Sequence, residues 1–357
     1  MPAIVNLLFN VVSTNTTISF NTVLPLVSLV SLLGGVGGHL LMWMVMVRNP
    51  KSRSKPSSIL LLNLSLADTG ALLTLPCVLL SASFQDWILG DTTCILLGFL
   101  TSITVGVEIF SLAALSMLRY RIVAPRMRRP VSLTQVLCIV VAIWLVSVTM
   151  ALPKVTYVSF SGACTWSVGR DEWLFFLVPA FLLYYVGPLL CIAINCGLII
   201  SHLHTCRGFL SGHRRNKKAT ALLVASTLVF ALSWLPYYAL EFVNVISPYI
   251  SPAVPNIGMF SRKLNFWVST SGPSMETKTR VSLLWEVSSL AAILMVCLAP
   301  CWNPPLYFLL SRPAVRQLRA LLPDCLQENT VKKRKIRRRI APVTQIDSKQ
   351  PQSPVFE

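Results

Sequence analysis

Three ionisable side chains, His39, Asp68 and Glu108, stand inside long apolar stretches of this chain. A charge in hydrocarbon is costly, so such a residue faces a protein interior or a water-filled cavity and marks an ion or proton path. Together the three would suit the relay of a proton-linked transporter. Transporters are commonly built from internal repeats, however, and the two halves of this sequence show none. Enzymatic chemistry is not expected: no His and Cys cluster has zinc spacing, no glycine-rich loop could cradle phosphate, and no nucleophile stands beside a base.

The elements that must position these groups are membrane spans. The chain is 54% apolar and 12% charged, with a mean hydropathy of +0.66, against about 25% charged in a typical soluble domain. About 20 apolar residues suffice to cross a ~30 Å hydrocarbon core as a helix. By that criterion the spans run over 23–47, 57–83, 91–122, 133–153, 173–203, 217–246 and 282–310. The third organises the rest: its only charge before Arg119 is Glu108, and Cys94 to Arg119 covers roughly 37 Å at ~1.5 Å per residue. The fold class expected is all-α, a seven-transmembrane bundle over 23–310, with an extracellular segment 1–22 and a cytoplasmic part 311–357. Short connections at 48–56 and 123–132 favour antiparallel neighbours.

Charge sets the sidedness. The formal net charge is +18, which by itself would suit a nucleic-acid partner. Its distribution excludes that, because 25 of the 31 Lys and Arg fall on alternating connections and the tail, beginning at Arg48, Arg119, Arg207 and Arg312. Basic loops stay in the cytosol, so the N-terminus is expected outside, the tail inside, and the number of spans odd. The segment before about Asn21 lacks a basic signal-peptide region, so insertion would depend on the first span. Asn15 opens a glycosylation sequon on the external side. Of ten cysteines only Cys94 and Cys164 lie at external connections, where a disulfide can persist; the alternative is two unpaired membrane-edge thiols. Residues 312–322 alternate cations with apolar positions at helical spacing, as an amphipathic eighth helix in the interface would. Cys325 is a palmitoylation candidate or a free cytosolic thiol, and the basic run 332–339 should be drawn to anionic lipid. The loop 247–281 is long for its place; it is read as a disordered loop, with a ligand-contacting lid or a segment of an unusual transcript as alternatives.

The motifs follow one another in a fixed order: Asn63-Leu-Ser-Leu-Ala-Asp68, Trp87-x-x-Gly90-x-x-x-Cys94, Arg119-Tyr120, Trp144, Pro188, Phe230-x-x-x-Trp234-x-Pro236 and Asn303-Pro304-x-x-Tyr307. In this order and spacing the chain resembles a rhodopsin-like (class A) G-protein-coupled receptor over nearly its whole length. The resemblance implies that Arg119 and Tyr120 serve coupling, that Trp234 above Phe230 repacks when ligand presses on it, and that Tyr307 swings inward at the break made by Asn303 and Pro304. Pro236 removes a backbone hydrogen bond, so a small rotation near Trp234 can become a large displacement at the helix end. The partners implied are an extracellular ligand and a heterotrimeric G protein, in the plasma membrane.

Departures from that pattern are informative. The acidic residue before the arginine is Leu118 here, and Asn216 stands where many members carry an acid at the base of the sixth helix. Raised basal activity is therefore expected. Cys196 replaces the fifth-helix tyrosine, and together with Leu118 it motivates the alternative of a receptor-like protein that no longer couples. Asp68 occupies the position at which the family binds a sodium ion, but the serine of that site is Glu108 and the usual first-helix asparagine is His39. Two close carboxylates in low dielectric do not readily both ionise, so one should hold a proton or an ion. His39 as a cation would make a proton-sensitive switch, and a neutral hydrogen-bonded trio is the alternative.

The aspartate that anchors amine ligands is Thr101 here, which argues against amines. Pro76 resembles the second-helix proline of peptide and chemokine receptors, with the galanin-like branch as the nearest likeness. Glu241, Glu286 and Trp166 are the candidate ligand contacts, together with Asp171 and Glu172.

Overall fold

A computed structural model of the chain describes residues 26–48, 55–84, 89–123, 131–153, 155, 158–160, 164–166, 170–205, 210–250, 288, 291–292, 294–311, 314–316 and 318. Asn15, Glu286, Cys325, the stretch 251–281 and the basic run 332–339 lie outside the described residues. Helices dominate: α1 (Leu26–Val47), α2 (Pro56–Phe84), α3 (Gly90–Val123) and α4 (Leu133–Ala151). Next comes α5, in three consecutive pieces, Arg170–Phe181, Leu182–Val186 and Gly187–Thr205. It is followed by α6 (Leu210–Ile250) and α7 (Leu294–Leu310). The first six contain apolar stretches long enough to cross a membrane, and the described part of α7 is a shorter apolar helix. The chain divides after Ser311, and beyond that point Ala314–Arg316 and Leu318 are helical.

Each helix follows from its residues. At the start of α4 the Ser132 hydroxyl accepts from the Gln135 backbone N–H while the Gln135 side chain accepts from the Ser132 N–H, both at 3.2 Å. That reciprocal pair satisfies two donors that a helix start leaves unbonded. Along α4, Leu137, Val141 and Leu145 recur at one-turn spacing and are 53%, 57% and 63% exposed. In water such a stripe would be a liability; in a bilayer it is the lipid face. Helix α3 is the reverse case, buried almost without interruption from Ile103 to Leu118, and it packs against α2, α4, α5 and α6. It is the central post of the bundle.

Three local features depart from the simple spans. Before Pro188, Leu182–Val186 forms a π-helical turn in which the Gly187 N–H reaches the Leu182 carbonyl. Pro188 has no N–H to return to Tyr184, so the wider turn relieves the ladder at that point. The consequence is that adjacent residues Tyr184 and Tyr185 are both buried. In α7, residues Ala299–Trp302 tighten to a 3-10 helix just before Asn303–Leu310, where Pro300, Pro304 and Pro305 each withhold a donor. Between α4 and α5 a two-stranded antiparallel ribbon pairs β1 (Val158–Phe160) with β2 (Cys164–Trp166), Phe160 opposite Cys164. The otherwise all-helical expectation did not include it.

Close helix approach rests on glycine. A Cβ on Gly106 of α3 would lie 2.7 Å from the Tyr184 ring and 2.8 Å from the Ser147 hydroxyl, and one on Gly38 of α1 would lie 3.1 Å from Pro304. Without a driving hydrophobic effect between helices in lipid, small residues let backbones pack directly. Gly106→Val should therefore destabilise the bundle by about 1–3 kcal/mol, the usual range for overpacking, read as a lower thermal unfolding midpoint in detergent; an unchanged midpoint would refute the close packing of α3 on α4 and α5.

Candidate functional site

The polar centre is built from two hydrogen-bond chains that meet on α2. In the first, the Asn63 amide donates to the Ser111 hydroxyl at 2.8 Å, and the Trp144 indole N–H donates to the Asn63 carbonyl oxygen at 2.8 Å. One asparagine thus ties α2 to α3 and to α4. In the second, the Asn303 amide donates to Asp68 Oδ2 at 2.7 Å, joining α7 to α2. Asp68 is 1% exposed. Its other oxygen, Oδ1, and the Asn303 side-chain oxygen have no hydrogen-bond partner among the described residues.

His39 links α1 to both. Its Nε2 lies 2.9 Å from the Pro300 carbonyl and its Nδ1 lies 2.6 Å from the Ser65 hydroxyl, which is also 2.7 Å from the Trp43 indole nitrogen. A carbonyl only accepts, so Nε2 carries a hydrogen. The Ser65 oxygen receives the Trp43 N–H and turns its own hydrogen to Nδ1. A neutral imidazole therefore has both nitrogens satisfied, with Asp68 Oδ2 a further 3.7 Å from Nε2. The carbonyl that His39 caps has a specific origin: four residues on is Pro304, which has no N–H to give back to Pro300. His39 supplies the donor that the proline withholds.

Glu108 is buried on α3 at 6% exposure, within electrostatic reach of Asp68. The expected grouping of His39, Asp68 and Glu108 is one neighbourhood in the fold. Further along α3, Leu118 is buried and Arg119 and Tyr120 are half-buried; the position before the arginine holds an alkyl side chain. Cys196 is buried in α5, and Tyr307 is buried against Phe308 at 5.4 Å between ring centres.

Rings join α5 to α6. Phe230 and Trp234 lie 6.0 Å apart, Tyr185 stacks on Phe230 at 6.4 Å, and Phe181 meets Tyr238 edge-on at 5.1 Å. The Tyr185 hydroxyl donates to the Ala231 carbonyl at 2.9 Å, one residue before Leu232, whose carbonyl loses its donor to Pro236. Of the candidate ligand contacts, Thr101 spends its hydroxyl on the Leu97 carbonyl of its own helix, at 2.7 Å. Glu241 is hydrogen-bonded to Tyr237. Cys94 is buried and disulfide-bonded; Cys164 and Trp166 stand in β2, and their side chains are outside the described residues. Ser65, Trp43, Ser111, Pro300, Tyr185 and Tyr237 were not singled out from sequence. The helix-2 seryl positions flanking Asn63 and Asp68 carried a readable signal, whereas a backbone carbonyl 261 residues from its donor carried none.

His39→Leu should leave the Pro300 carbonyl and the Ser65 hydroxyl without their partner, at about 1–3 kcal/mol for each buried group left unsatisfied. The expected result is a clear drop in thermal midpoint, partly recovered in His39→Asn, which can still donate; equal stability of all three proteins would refute the capping role.

Residues 38–307 match the family described as "7 transmembrane receptor (rhodopsin family)". Among curated proteins, the chain is 30% identical to somatostatin receptor type 5 of Bos taurus, over 62% of this chain and 63% of that one. It is 29% identical to somatostatin receptor type 2 of Mus musculus, over 67% and 68%, and 29% identical to somatostatin receptor type 3 of Homo sapiens, over 63% and 57%. The chain thus spans somewhat less than two thirds of the length of the bovine and human relatives. With the family match covering most of the sequence, this chain belongs to the rhodopsin family of seven-transmembrane receptors.

Proposed function

We propose that the chain is a plasma-membrane receptor, N-terminus outside, that senses an extracellular peptide and passes the signal to a heterotrimeric G protein through a change in helix packing, with no catalysis of its own. The observation that carries this reading is the contrast in how the helices are joined. Helices α1, α2, α3, α4 and α7 are linked by side-chain hydrogen bonds around Asn63, Ser65 and Asp68, whereas among the described residues α5 and α6 meet through stacked rings and one hydroxyl. Rings can slide and repack with little change in energy; a buried hydrogen-bond network cannot. A bistable bundle of this kind responds to any ligand that prefers one packing. The relatives named as somatostatin receptors support a peptide as the ligand class.

Leu118 and Asn216 remove two acidic restraints on Arg119, so basal signalling is expected to be raised. Expression without ligand should give G-protein signalling above the vector control, lowered by Leu118→Asp; background-level signalling in the wild type would count against this and favour the non-coupling alternative that Cys196 suggests. Nucleotide exchange by a panel of purified G proteins tests the receptor reading itself.

Asp68 and Glu108, set in one buried neighbourhood, are proposed to share a proton or a sodium ion, because two adjacent negative charges in low dielectric repel strongly. Signalling measured across pH in wild type, His39→Asn and Glu108→Ser should give distinct curves; three superimposable curves would dispose of the shared site. Proton-coupled uptake into vesicles would instead favour a transporter.

A further inference from the structure

Tyr184 and Tyr185 are neighbours in sequence, yet the π turn of α5 buries both and sends them to different helices. The Tyr184 ring lies against Gly106 and Phe110 of α3. The Tyr185 ring lies against α6, 6.4 Å from Phe230 and 5.5 Å from Tyr238, and Phe181, four residues earlier on α5, stacks on it at 5.3 Å. Rings on three sides fix where the phenol points, and its hydroxyl donates to the Ala231 carbonyl at 2.9 Å. Tyr184 differs: its buried hydroxyl has no hydrogen-bond partner among the described residues.

The position of Ala231 gives that bond leverage. Pro236 removes one bond from the ladder of α6 and makes that point its weak joint. Ala231 stands five residues from the joint, on the half that runs to Asn216, twenty residues from it. When that half swings as a rigid rod about Pro236, a displacement at Ala231 is magnified about fourfold at Asn216. Stretching the 2.9 Å bond by ~0.6 Å is enough to lose it. A swing away from α5 of more than about 2–3 Å at the helix end therefore cannot occur with the bond intact, whereas sliding of the rings costs little. We propose that the Tyr185 hydroxyl is a latch on α6: bonded to the Ala231 carbonyl it holds the N-terminal half of α6 against α5, and its release sets how often that half swings out without ligand. Tyr185 is thus a positioning residue. This rests on the receptor reading above and specifies its regulation.

The test uses the full chain in lipid nanodiscs without ligand, carrying Lys55→p-acetylphenylalanine and Lys217→p-acetylphenylalanine. Both positions are exposed, near the starts of α2 and α6, and spin labels attached at the ketones leave the native cysteines untouched. Pulsed electron resonance then reads the distance between the labels. The otherwise unchanged chain should show mainly the separation of this structure, with a minor longer one. Tyr185→Phe keeps the ring and removes only the hydroxyl, and it should raise the ratio of long to short about 2- to 12-fold, the effect of losing one hydrogen bond. Tyr184→Phe, which removes the unpartnered hydroxyl next door, should leave the ratio unchanged. An unchanged or lower ratio in Tyr185→Phe, an equal rise in Tyr184→Phe, or an unsubstituted chain in which the longer distance already dominates would overturn the latch. The last of these readings stands even if a variant folds poorly. Ligand-free nucleotide exchange on the G-protein panel separates the two ideas: a distance shift in Tyr185→Phe without exchange by any G protein sinks the receptor reading alone, and exchange without the shift sinks the latch alone.

Discussion

In hydrocarbon no water is present to bond a carbonyl or an N–H that the helix itself leaves open, and this constraint governs where the side chains of this chain go. Proline breaks the ladder at Pro188, Pro236 and Pro304, and each break is handled differently. At Pro188 the backbone widens into a π turn. Near Pro236 a tyrosine hydroxyl from α5 reaches the neighbouring carbonyl of Ala231. At Pro304 the backbone tightens to a 3-10 segment and His39 crosses from α1 to cap Pro300. The polar residues of the core are therefore placed first by the defects of the main chain and only then by one another.

That origin explains what could be read from the sequence. The spans were legible because lipid imposes a length and expels charge, so that apolar runs bounded by basic loops mark them with little ambiguity. Asp68, Trp234 and Asn303 were legible because polar and aromatic residues break the apolar pattern. The partner of His39 was not, since a backbone carbonyl has no sequence identity and the donor lies 261 positions away. The same holds for Tyr185, whose burial depends on the extra residue of the π turn and would be misplaced by a regular 3.6-residue count. The ribbon between α4 and α5 was missed for another reason: each strand is only three residues long, too short for period-two alternation to register.

The contacts around His39 bear on two electrostatic readings of the core. A histidine cation beside Asp68 would need Nδ1 to donate, yet the Ser65 oxygen already receives the Trp43 N–H and would then accept twice while its own hydrogen sought another partner. A neutral ring satisfies every group in that chain, with Trp43, Ser65, His39 and Pro300 joined in one direction of donation. Asp68 is left to Asn303 and to whatever its second oxygen meets, and Glu108 becomes the neighbour that matters for its charge.

Helix packing then separates what is held from what can be displaced. Gly38 lets α1 lie against Pro304, and Gly106 lets α3 lie against Tyr184 and Ser147, so the approach distances that the hydrogen bonds require are already set by the absence of side chains. Every bond in the α1, α2, α3, α4 and α7 network is short because these backbones are close. Moving any one of these helices by a fraction of a turn would leave several buried polar atoms unsatisfied together, each at about 1–3 kcal/mol. Ring contacts between α5 and α6 carry no such penalty, since tilted and stacked arrangements at 5–7 Å differ little in energy. Among the described contacts, displacement is therefore cheapest where Phe230, Trp234 and Tyr185 meet, within about two turns of Pro236, where the one hydrogen bond at stake is that from Tyr185 to Ala231.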